Sequence, residues 1–286
     1  LAALPAEAHL LLVGDTDQLP SVGAGNFLAD LIASETMVVT RLNTIFRQAE
    51  ESGIVATAHG ILHGKSEPPN LIGSIGQLNP DPDFNFIMET DAQACVHTLR
   101  GLLETFIPRH YKLNPIRDVQ VLSPLHKGIA GVSALNQTLQ DTLNSAKGSQ
   151  SANARYRASK QMYFREATGR PLPTSLDYGA VQFRLGDKVI QTRNNYDKGI
   201  FNGDTGIISG IAPDRSSLTV DFDNESIECS KSDLSDLQLA YAITIHKSQG
   251  SEYPVVIIPL LKQHFLLLQR NLLYTTITRA KSKVFI

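Results

Sequence analysis

The stretch AYAITIHKSQGSEYPVVIIP, residues 240–259, is the part of the sequence that decides the fold. Its two apolar runs, Ala240 to Ile245 and Val255 to Ile258, have the length and composition of buried β-strands. Between them lies HKSQGSEY, a polar segment that a hydrophobic core would not accommodate. Buried strands that end on polar residues are typical of α/β sheets, which bind ligands at their strand ends.

The composition is that of a globular protein without an overall bias toward nucleic acid. The 286 residues are 42% hydrophobic, which is enough for a real core and about two domains. The net charge of -2 means that any nucleic-acid binding must come from a local basic surface. Cys95 and Cys229 lack metal-ligand spacing, which predicts reduced thiols, no metal site and a cytoplasmic location. No apolar run approaches the roughly 20 residues that span a bilayer, so we expect no membrane partner.

The first residues have the strand, loop and helix order of an α/β domain. His9 to Val13 predicts a buried strand, GDTDQLPSVGAGN a loop, and FLADLIAS a short helix capped by Asn26. A strand so close to the start requires neighbours that this sequence lacks, and the chain opens without methionine. We therefore expect the natural protein to have a further N-terminal part.

The α/β pattern continues through the chain and is interrupted once. The first predicted elements are a strand within 38–48, an amphipathic helix over GIVATAHGILHG and a surface loop over 64–83. They are followed by a helix capped by Thr90, a strand at 119–123 and a helix with Val132, Leu135, Leu139 and Leu143 on one face. The last predicted elements are a helix and a strand in RNLLYTTITRAKSKVFI. From Phe183 the period changes to two, with tight turns at Asn202-Gly203 and Asp223-Asn224. This change predicts a small β-barrel inserted into the α/β domain and closed near Leu237.

Residues 145–178 are polar and irregular, and they include the basic and aromatic run RYRASKQMYFREATGR. Such a segment is usually a surface loop or a family-variable insertion. The same mixture of charges and rings could also contact a nucleic-acid backbone, so both interpretations stay open.

Two groups of residues could bind phosphate groups. Gly14, Asp15 and Gln18 follow a predicted strand, where a glutamine amide can sense a phosphate or orient a water. Arg47 and Arg279 could grip phosphate oxygens with their guanidinium groups. The alternatives are a polar turn for the first group and ordinary surface ion pairs for the two arginines.

The polar middle of 240–259 is the third candidate site. Thr244, His246, Lys247, Ser248 and Gln249 offer donors to phosphate or sugar oxygens. Gly250 allows a tight turn, and Glu252 could accept from a ribose hydroxyl or an arginine. Acid-base hydrolysis by His246 and Glu252 is the alternative, but no nucleophile accompanies them.

The segment LHKGIAG places His126 and Lys127 before a predicted helix N-terminus, a natural anion site. The sequence has no G-x-x-x-x-G-K-[ST] motif and no strand that ends in Asp-Glu. It therefore supplies neither a P-loop lysine nor a carboxylate for Mg²⁺, and the chain alone should not hydrolyse a nucleotide.

Six segments in order closely resemble the later motifs of superfamily 1 helicases of the RecD-like group. They are VGDTDQLPSVGAG, RLNTIFRQ, VLSPLHKGIAG, GDKVIQTRNNYDKGIFNGDTGII, AITIHKSQGSEYPVVIIP and LLYTTITRAK. That group includes the α subunit of exodeoxyribonuclease V and the helicase parts of conjugative relaxases. The resemblance implies a RecA-like second motor domain, with a parallel sheet and flanking helices, that is interrupted by an SH3-like barrel.

The resemblance also implies domain boundaries. Residues 1–36 would be the end of a first RecA-like domain whose Walker A and Walker B motifs lie upstream. Residues 37–182 and 239–286 would form the second domain, with 145–178 as a variable insertion and 183–238 as the barrel.

The same resemblance implies that one set of residues binds ATP and another set binds single-stranded DNA. Gln18 would sense the γ-phosphate, Arg47 and Arg279 would reach it from the second domain, and the remaining nucleotide-side residues would be Gly14, Asp15, Gly250 and Glu252. The residues facing DNA would be His126, Lys127, Asn195, Tyr196, Thr244, His246 and Lys247.

The resemblance implies the C-terminal motor region of an ATP-dependent 5′ to 3′ DNA helicase, inactive alone, from recombination, repair or conjugation. ATP and Mg²⁺ would be the cofactors of the full-length protein, and nuclease-complex subunits or a fused relaxase its candidate further partners. An ATP-independent nucleic-acid-binding module and an NTPase half with a non-DNA substrate are the alternatives.

Overall fold

The computed structural model describes residues 4–5, 7–20, 25–42, 52–65, 71–145, 173–223 and 225–286. These residues form a parallel sheet with helices on both faces and a smaller antiparallel sheet inserted into it. None of the helices in the described part of the chain combines the length and the apolar composition that a membrane crossing requires.

The parallel sheet has six strands in the order β1-β2-β13-β12-β3-β11. Their bounds are β1 Leu71–Ile72, β2 Phe84–Ile87, β3 Val119–Ser123, β11 Ala242–Thr244, β12 Tyr253–Ile257 and β13 Ala280–Phe285. Every ladder is parallel, and β3 lies between β12 and the edge strand β11. Both strands predicted in 240–259 are therefore confirmed, and they are separated by a third strand.

Helices cover both faces of the parallel sheet because its strands alternate their apolar side chains between the two sides. The helices are α1 Phe27–Ala33, α2 Gly53–Leu62, α3 Ala92–Gly101, α4 Ile107–Tyr111, α5 Val132–Leu143 and α6 Arg270–Ile277, with a π-helical turn at Leu102–Phe106. Val255 and Ile257 of β12 pack with α3, α4 and α5. Val256 faces the opposite side and packs with α2 and α6.

The antiparallel sheet has five strands in the order β10-β6-β7-β8-β9 and follows a separate hairpin, β4–β5. The bounds are β4 Ser175–Tyr178, β5 Val181–Arg184, β6 Lys188–Gln191, β7 Thr205–Ile211, β8 Ser217–Phe222, β9 Glu225–Ser230 and β10 Leu237–Leu239. These strands enclose their own hydrophobic core. Gly203 and Asp223 both have positive φ, at 102° and 42°, as the predicted tight turns require. The expected fold class is confirmed.

Two predicted strands near the start are wrong where the structure describes them. Residues 9–13 and 38–42 form no strand, and Leu11 and Val13 are 85% and 87% exposed. A strand exists only where a neighbour accepts its backbone hydrogen bonds, and no strand in the described residues pairs with either segment. Residues 43–48 of the second predicted strand lie outside the described residues.

The helix caps and one loop also differ from expectation. Asn26 makes no side-chain cap to α1, and Asp91 rather than Thr90 caps α3 by accepting from the amides of Gln93 and Ala94. These two hydrogen bonds hold the pKa of Asp91 below its usual value. The predicted loop over 64–83 contains β1, which pairs with β2 because Leu71 and Ile72 lie in register with Phe86 and Ile87.

Candidate nucleotide-side and DNA-side sites

Gln18 and Arg279 contact each other although 261 residues separate them in sequence. The Arg279 guanidinium donates to the Gln18 side-chain oxygen at 3.2 Å. The Gln18 amide nitrogen in turn donates to Asp15 at 2.9 Å. We call Asp15, Gln18, Tyr274 and Arg279 the phosphate-side cluster. The structure thus brings together residues that the sequence placed in two separate motifs.

Arg279 is held rigidly at the end of α6. It is only 7% exposed, and its Nε and Nη1 donate to the carbonyls of Thr275 and Ser251 at 3.1 and 3.2 Å. Its own carbonyl accepts from the amide of Tyr253 at the start of β12 at 2.9 Å. A guanidinium fixed in this way has lost its side-chain freedom before any ligand arrives, which is the preorganisation that binding developing charge requires.

The loop that carries Gln18 is attached to α6 and to the turn after β11. The amide of Leu19 donates to the Thr275 hydroxyl at 2.8 Å, and the Gln249 side chain donates to the Leu19 carbonyl at 2.8 Å. Tyr274 donates to Asp15 at 3.3 Å. Burial and the nearby Asp15 carboxylate raise the pKa of Tyr274 to about 12, so its hydroxyl stays a proton donor at neutral pH.

Sequence reasoning missed Tyr274 and Thr275, although both lie in the motif LLYTTITRAK that identified Arg279. The available signal was the spacing of Thr275, which lies four residues before Arg279, one helical turn away, and Tyr274 is its neighbour in the sequence. Arg47, the other predicted arginine, lies outside the described residues.

The other residues predicted for the nucleotide side are Gly14, Gly250 and Glu252, and each has a local structural role. Gly250 has a φ of +81°, the left-handed turn that its role requires. Glu252 forms an ion pair with Lys281 at 3.9 Å. Gly14 lies against α1, because a Cβ there would approach Leu28 Cδ2 within 2.6 Å.

The loop before α5 exposes His126 and Lys127. The loop is closed by the Ser123 hydroxyl, which donates to the Ala130 carbonyl at 2.8 Å. A Cβ at Gly131 would lie 2.4 Å from the Lys127 carbonyl oxygen, so the backbone can fold this tightly only with glycine there. The result is a compact loop that presents a lysine and a histidine to solvent.

The turn after β11 contains the second predicted group of DNA-side residues. Thr244 is buried, and its hydroxyl oxygen lies 3.4 Å from the Lys247 amide, from which it accepts. Lys247 donates to the Gln238 side chain at 3.1 Å, and burial lowers its pKa. His246 is the exposed member of this group. Thr244, which we expected to face DNA, is instead buried and supports the turn, while His246 and Lys247 form its surface.

The loop between β6 and β7 presents an aromatic side chain. Tyr196 is 77% exposed, and its ring meets that of Phe201 edge to face at 5.9 Å. The Asn194 amide donates to the Tyr196 hydroxyl at 3.2 Å, and Asn195 accepts from the Lys198 amide at 3.1 Å. An exposed ring held by its neighbours is suited to stacking on a base.

Three family models match the chain in order. An AAA domain matches residues 1–77, an ATP-dependent RecD-like DNA helicase SH3 domain matches residues 161–222, and a UvrD-like helicase C-terminal domain matches residues 239–286. The second match includes strands β4 to β8, so the antiparallel sheet belongs to an SH3-like domain.

Similar proteins align along nearly the whole length of this chain. The ATP-dependent RecD2 DNA helicase of Deinococcus radiodurans is 34% identical over 286 residues, which cover 100% of this chain and 33% of that protein. The RecBCD enzyme subunit RecD of Mycolicibacterium smegmatis is 29% identical, covering 99% of this chain and 46% of that protein. The crystal structure of Pif1 helicase from Bacteroides in complex with ADP-AlF3 and ssDNA aligns at a TM-score of 0.48 and 17% identity, over 95% of this chain and 60% of that chain.

The chain spans less than half the length of these two curated relatives. Within that span, the domain matches follow the order of the RecD-like motifs, and the alignments with both RecD proteins extend along the chain. The chain belongs to the RecD-like group of superfamily 1 helicases.

Proposed function

We propose that the chain supplies the second motor domain of an ATP-dependent 5′ to 3′ DNA helicase, with ATP bound between it and a preceding domain. The observation that carries this proposal is the hydrogen bond from Arg279 to Gln18. It joins a residue before α1 to a residue after α6, so a phosphate at this point would be held by both parts of the chain at once.

The phosphate-side cluster has the chemistry for a γ-phosphate. Arg279 would neutralise charge that develops on the phosphate oxygens, and the Gln18 amide would contact the phosphate or its attacking water. Asp15 already accepts from the amide of Asp17, from Gln18 and from Tyr274, so its oxygens serve the loop and do not fit a metal site. ATP with Mg²⁺ would therefore need a P-loop lysine and metal ligands from outside this chain.

Arg47, Gly14, Gly250 and Glu252 complete the proposed nucleotide side. Binding of one phosphate by two domains closes the cleft between them, and hydrolysis releases it. Repeated closure would move the DNA-side residues along a strand, which is translocation.

The proposed DNA side consists of the three exposed segments described above. His126 and Lys127, His246 and Lys247 would contact backbone phosphates, with Thr244 holding its turn. Asn195 and Tyr196 would lie beside the strand, with the Tyr196 ring stacking on a base. Single-stranded DNA is thus the proposed partner, and its binding should weaken steeply with salt.

The proposed domain boundaries are 1–36, 37–182, 183–238 and 239–286, with 145–178 as a variable insertion. Because one relative is named a RecBCD enzyme subunit, nuclease-complex subunits are proposed further partners, with a fused relaxase as the alternative arrangement. The proposed location is the cytoplasm.

The proposal is tested by DNA-stimulated ATP hydrolysis of the full-length protein that contains this chain. Arg279→Ala should lower the rate by about a thousandfold, because one arginine at a transferring phosphoryl group has that value. Arg270→Ala is the matched control: it removes an exposed arginine at the start of α6 that contacts only the Leu62 carbonyl, at 3.5 Å, in the described hydrogen bonds.

Unchanged hydrolysis in Arg279→Ala would overturn the proposed role of this arginine. If both variants and the parent bind single-stranded DNA but none hydrolyses ATP, the chain is a nucleic-acid-binding module instead. Failure to bind single-stranded DNA with intact ATP hydrolysis would favour an NTPase with another substrate.

A further inference from the structure

Two buried amide side chains of helix α5 and a third on the residue that follows its end lie in one row, which we call the amide stripe. They are Asn136, Gln140 and Asn144, spaced four residues apart, and they are 8%, 1% and 0% exposed. Residues four apart lie above one another on a helix. A buried amide requires hydrogen-bond partners, so this row must face other polar groups and not a simple apolar core.

Asn136 binds the free edge of the parallel sheet. Its side chain donates to the Ala242 carbonyl at 2.8 Å and accepts from the Ala242 amide at 2.9 Å. Ala242 belongs to the edge strand β11, and these are the two backbone groups that a further strand would otherwise bind. Asn136 therefore fixes the strand that leads directly into Thr244, His246 and Lys247.

Gln140 and Asn144 bind the antiparallel sheet through Asp187. Both amides donate to the Asp187 carboxyl at 2.6 Å, and the Tyr241 hydroxyl donates to it at 2.8 Å. The amide of Arg184 completes the set at 2.7 Å. Asp187 is 0% exposed and lies in the turn between β5 and β6, so one carboxyl joins α5, the antiparallel sheet and the residue before β11.

The start of α5 is joined to the remaining DNA-side segment. The Val132 amide donates to the Leu125 carbonyl at 2.9 Å, and the Ser133 amide donates to the His126 carbonyl at 3.2 Å. One helix thus contacts the loop of His126 and Lys127 at its first turn, β11 at its middle and the antiparallel sheet at its end.

We propose that Asn136, Gln140, Asn144 and Asp187 are positioning residues that hold the three DNA-side segments in one fixed arrangement. Apolar side chains could bury as much area, but hydrogen bonds with defined partners admit only one placement of the antiparallel sheet. The part of this inference that concerns DNA binding, which we call the DNA arm, rests on the proposed function. The other part, which we call the mechanical arm, is that the stripe fixes the antiparallel sheet to α5 and β11. It rests on the contacts alone.

Hydrogen exchange of the chain without DNA tests the mechanical arm. Asp187→Ala should speed amide exchange in residues 181–191 and 240–244 by tenfold or more, while 217–222 within the antiparallel sheet stay protected. Gln140→Met removes donors to Asp187 and to the Gln182 carbonyl, and it replaces the first variant if that one does not fold. The matched control is Gln137→Leu, because this exposed amide on the same helix contacts Asp141 at 3.2 Å. Unchanged exchange in both stripe variants would overturn the inference.

A double-mutant cycle with a fluorescent oligothymidylate tests the DNA arm. Tyr196→Ala should weaken binding by about tenfold in the parent chain, the value of one stacked base. In the Gln140→Met background the same change should weaken binding by less than twofold, because the loop is no longer held at the strand. Equal losses in both backgrounds would overturn the positioning role. If the parent chain does not bind the oligonucleotide, the proposed DNA contacts fail, and hydrogen exchange alone decides whether the stripe fixes the sheet.

Discussion

The phosphate-side cluster and the amide stripe with Asp187 are both polar networks between distant parts of the chain, but they differ in burial. In the first, Asp15 is exposed and Gln18 is half-buried, and only Arg279 is buried, at 7% exposed. In the second, Asp187 is 0% exposed and accepts hydrogen bonds from four donors. Surface hydrogen bonds can be exchanged for a ligand at little cost, whereas buried ones cannot be broken without leaving polar groups unsatisfied. The phosphate-side cluster is therefore a network whose exposed part can exchange its hydrogen bonds for a ligand. The amide stripe with Asp187 is a closed network, whose hydrogen bonds must stay intact in the folded protein.

Removing the buried carboxyl should have the largest effect on stability. Asp187→Ala leaves the side chains of Gln140, Asn144 and Tyr241 without their acceptor, so we expect the free energy of unfolding to fall by about 3 to 5 kcal/mol. Urea denaturation measures it. Asp141→Ala is the control, because its carboxylate is half-exposed beside Arg184 and should contribute about 1 kcal/mol or less. A loss in Asp187→Ala no greater than in this control would contradict the closed network.

Lys188, the next residue, should give a pH-dependent effect of intermediate size. Burial lowers its pKa to about 8, against the opposing pull of Asp118, and its Nζ donates to the Val119 carbonyl at 3.2 Å. The folded state therefore binds fewer protons than the unfolded state between pH 8 and 10.5, and stability rises with pH in that window. Between pH 7.5 and 9.5 the parent should gain about 2 kcal/mol relative to Lys188→Met. Urea denaturation across this pH range measures the difference. If the free energies of unfolding of the two proteins change with pH in parallel, burial of Lys188 does not lower its pKa.

Lys127, on an exposed loop, should give the smallest effect. Lys127→Ala should weaken single-stranded DNA binding by about threefold and reduce the slope of log affinity against log salt by about 0.7, the value of one phosphate contact. Thermal stability should not change, because the side chain is exposed. The control is Lys231→Ala, an exposed lysine just beyond β9. If the slope of log affinity against log salt is the same for the parent and for Lys127→Ala, Lys127 does not contact a DNA phosphate.

The sequence predicted the parallel sheet for a physical reason, whereas only the family resemblance implied the roles of Gln18 and Arg279. Polar residues that interrupt apolar strands have few structural uses, so 240–259 stands out in a single sequence. Strands β11 and β12 confirm that interpretation for 240–259. Residues 9–13 show its limit, because apolar content alone does not form a strand without a partner.

The amide stripe could not be predicted from the sequence. Leu135, Leu139 and Leu143 correctly indicated the buried face of α5, and its amides fall on a neighbouring face that would ordinarily be solvated. What buries Asn144 is the inserted part of the chain, about 40 positions away, and what buries Asn136 is the edge strand β11, about 100 positions away. Helical periodicity carries no information about such contacts, and the partner carboxyl of Asp187 lies in an unremarkable turn.

The most direct test of the account is the combination of Gln18→Ala and Arg279→Ala in the full-length protein, measured by DNA-stimulated ATP hydrolysis. If both residues act on one phosphate, Gln18→Ala should slow hydrolysis by about a hundredfold and Arg279→Ala by about a thousandfold. The double variant should be no more than about threefold slower than Arg279→Ala. Residues that act independently would give a double variant whose loss is the product of the two single losses. That result would contradict the claim that the contact between Gln18 and Arg279 marks a shared nucleotide site.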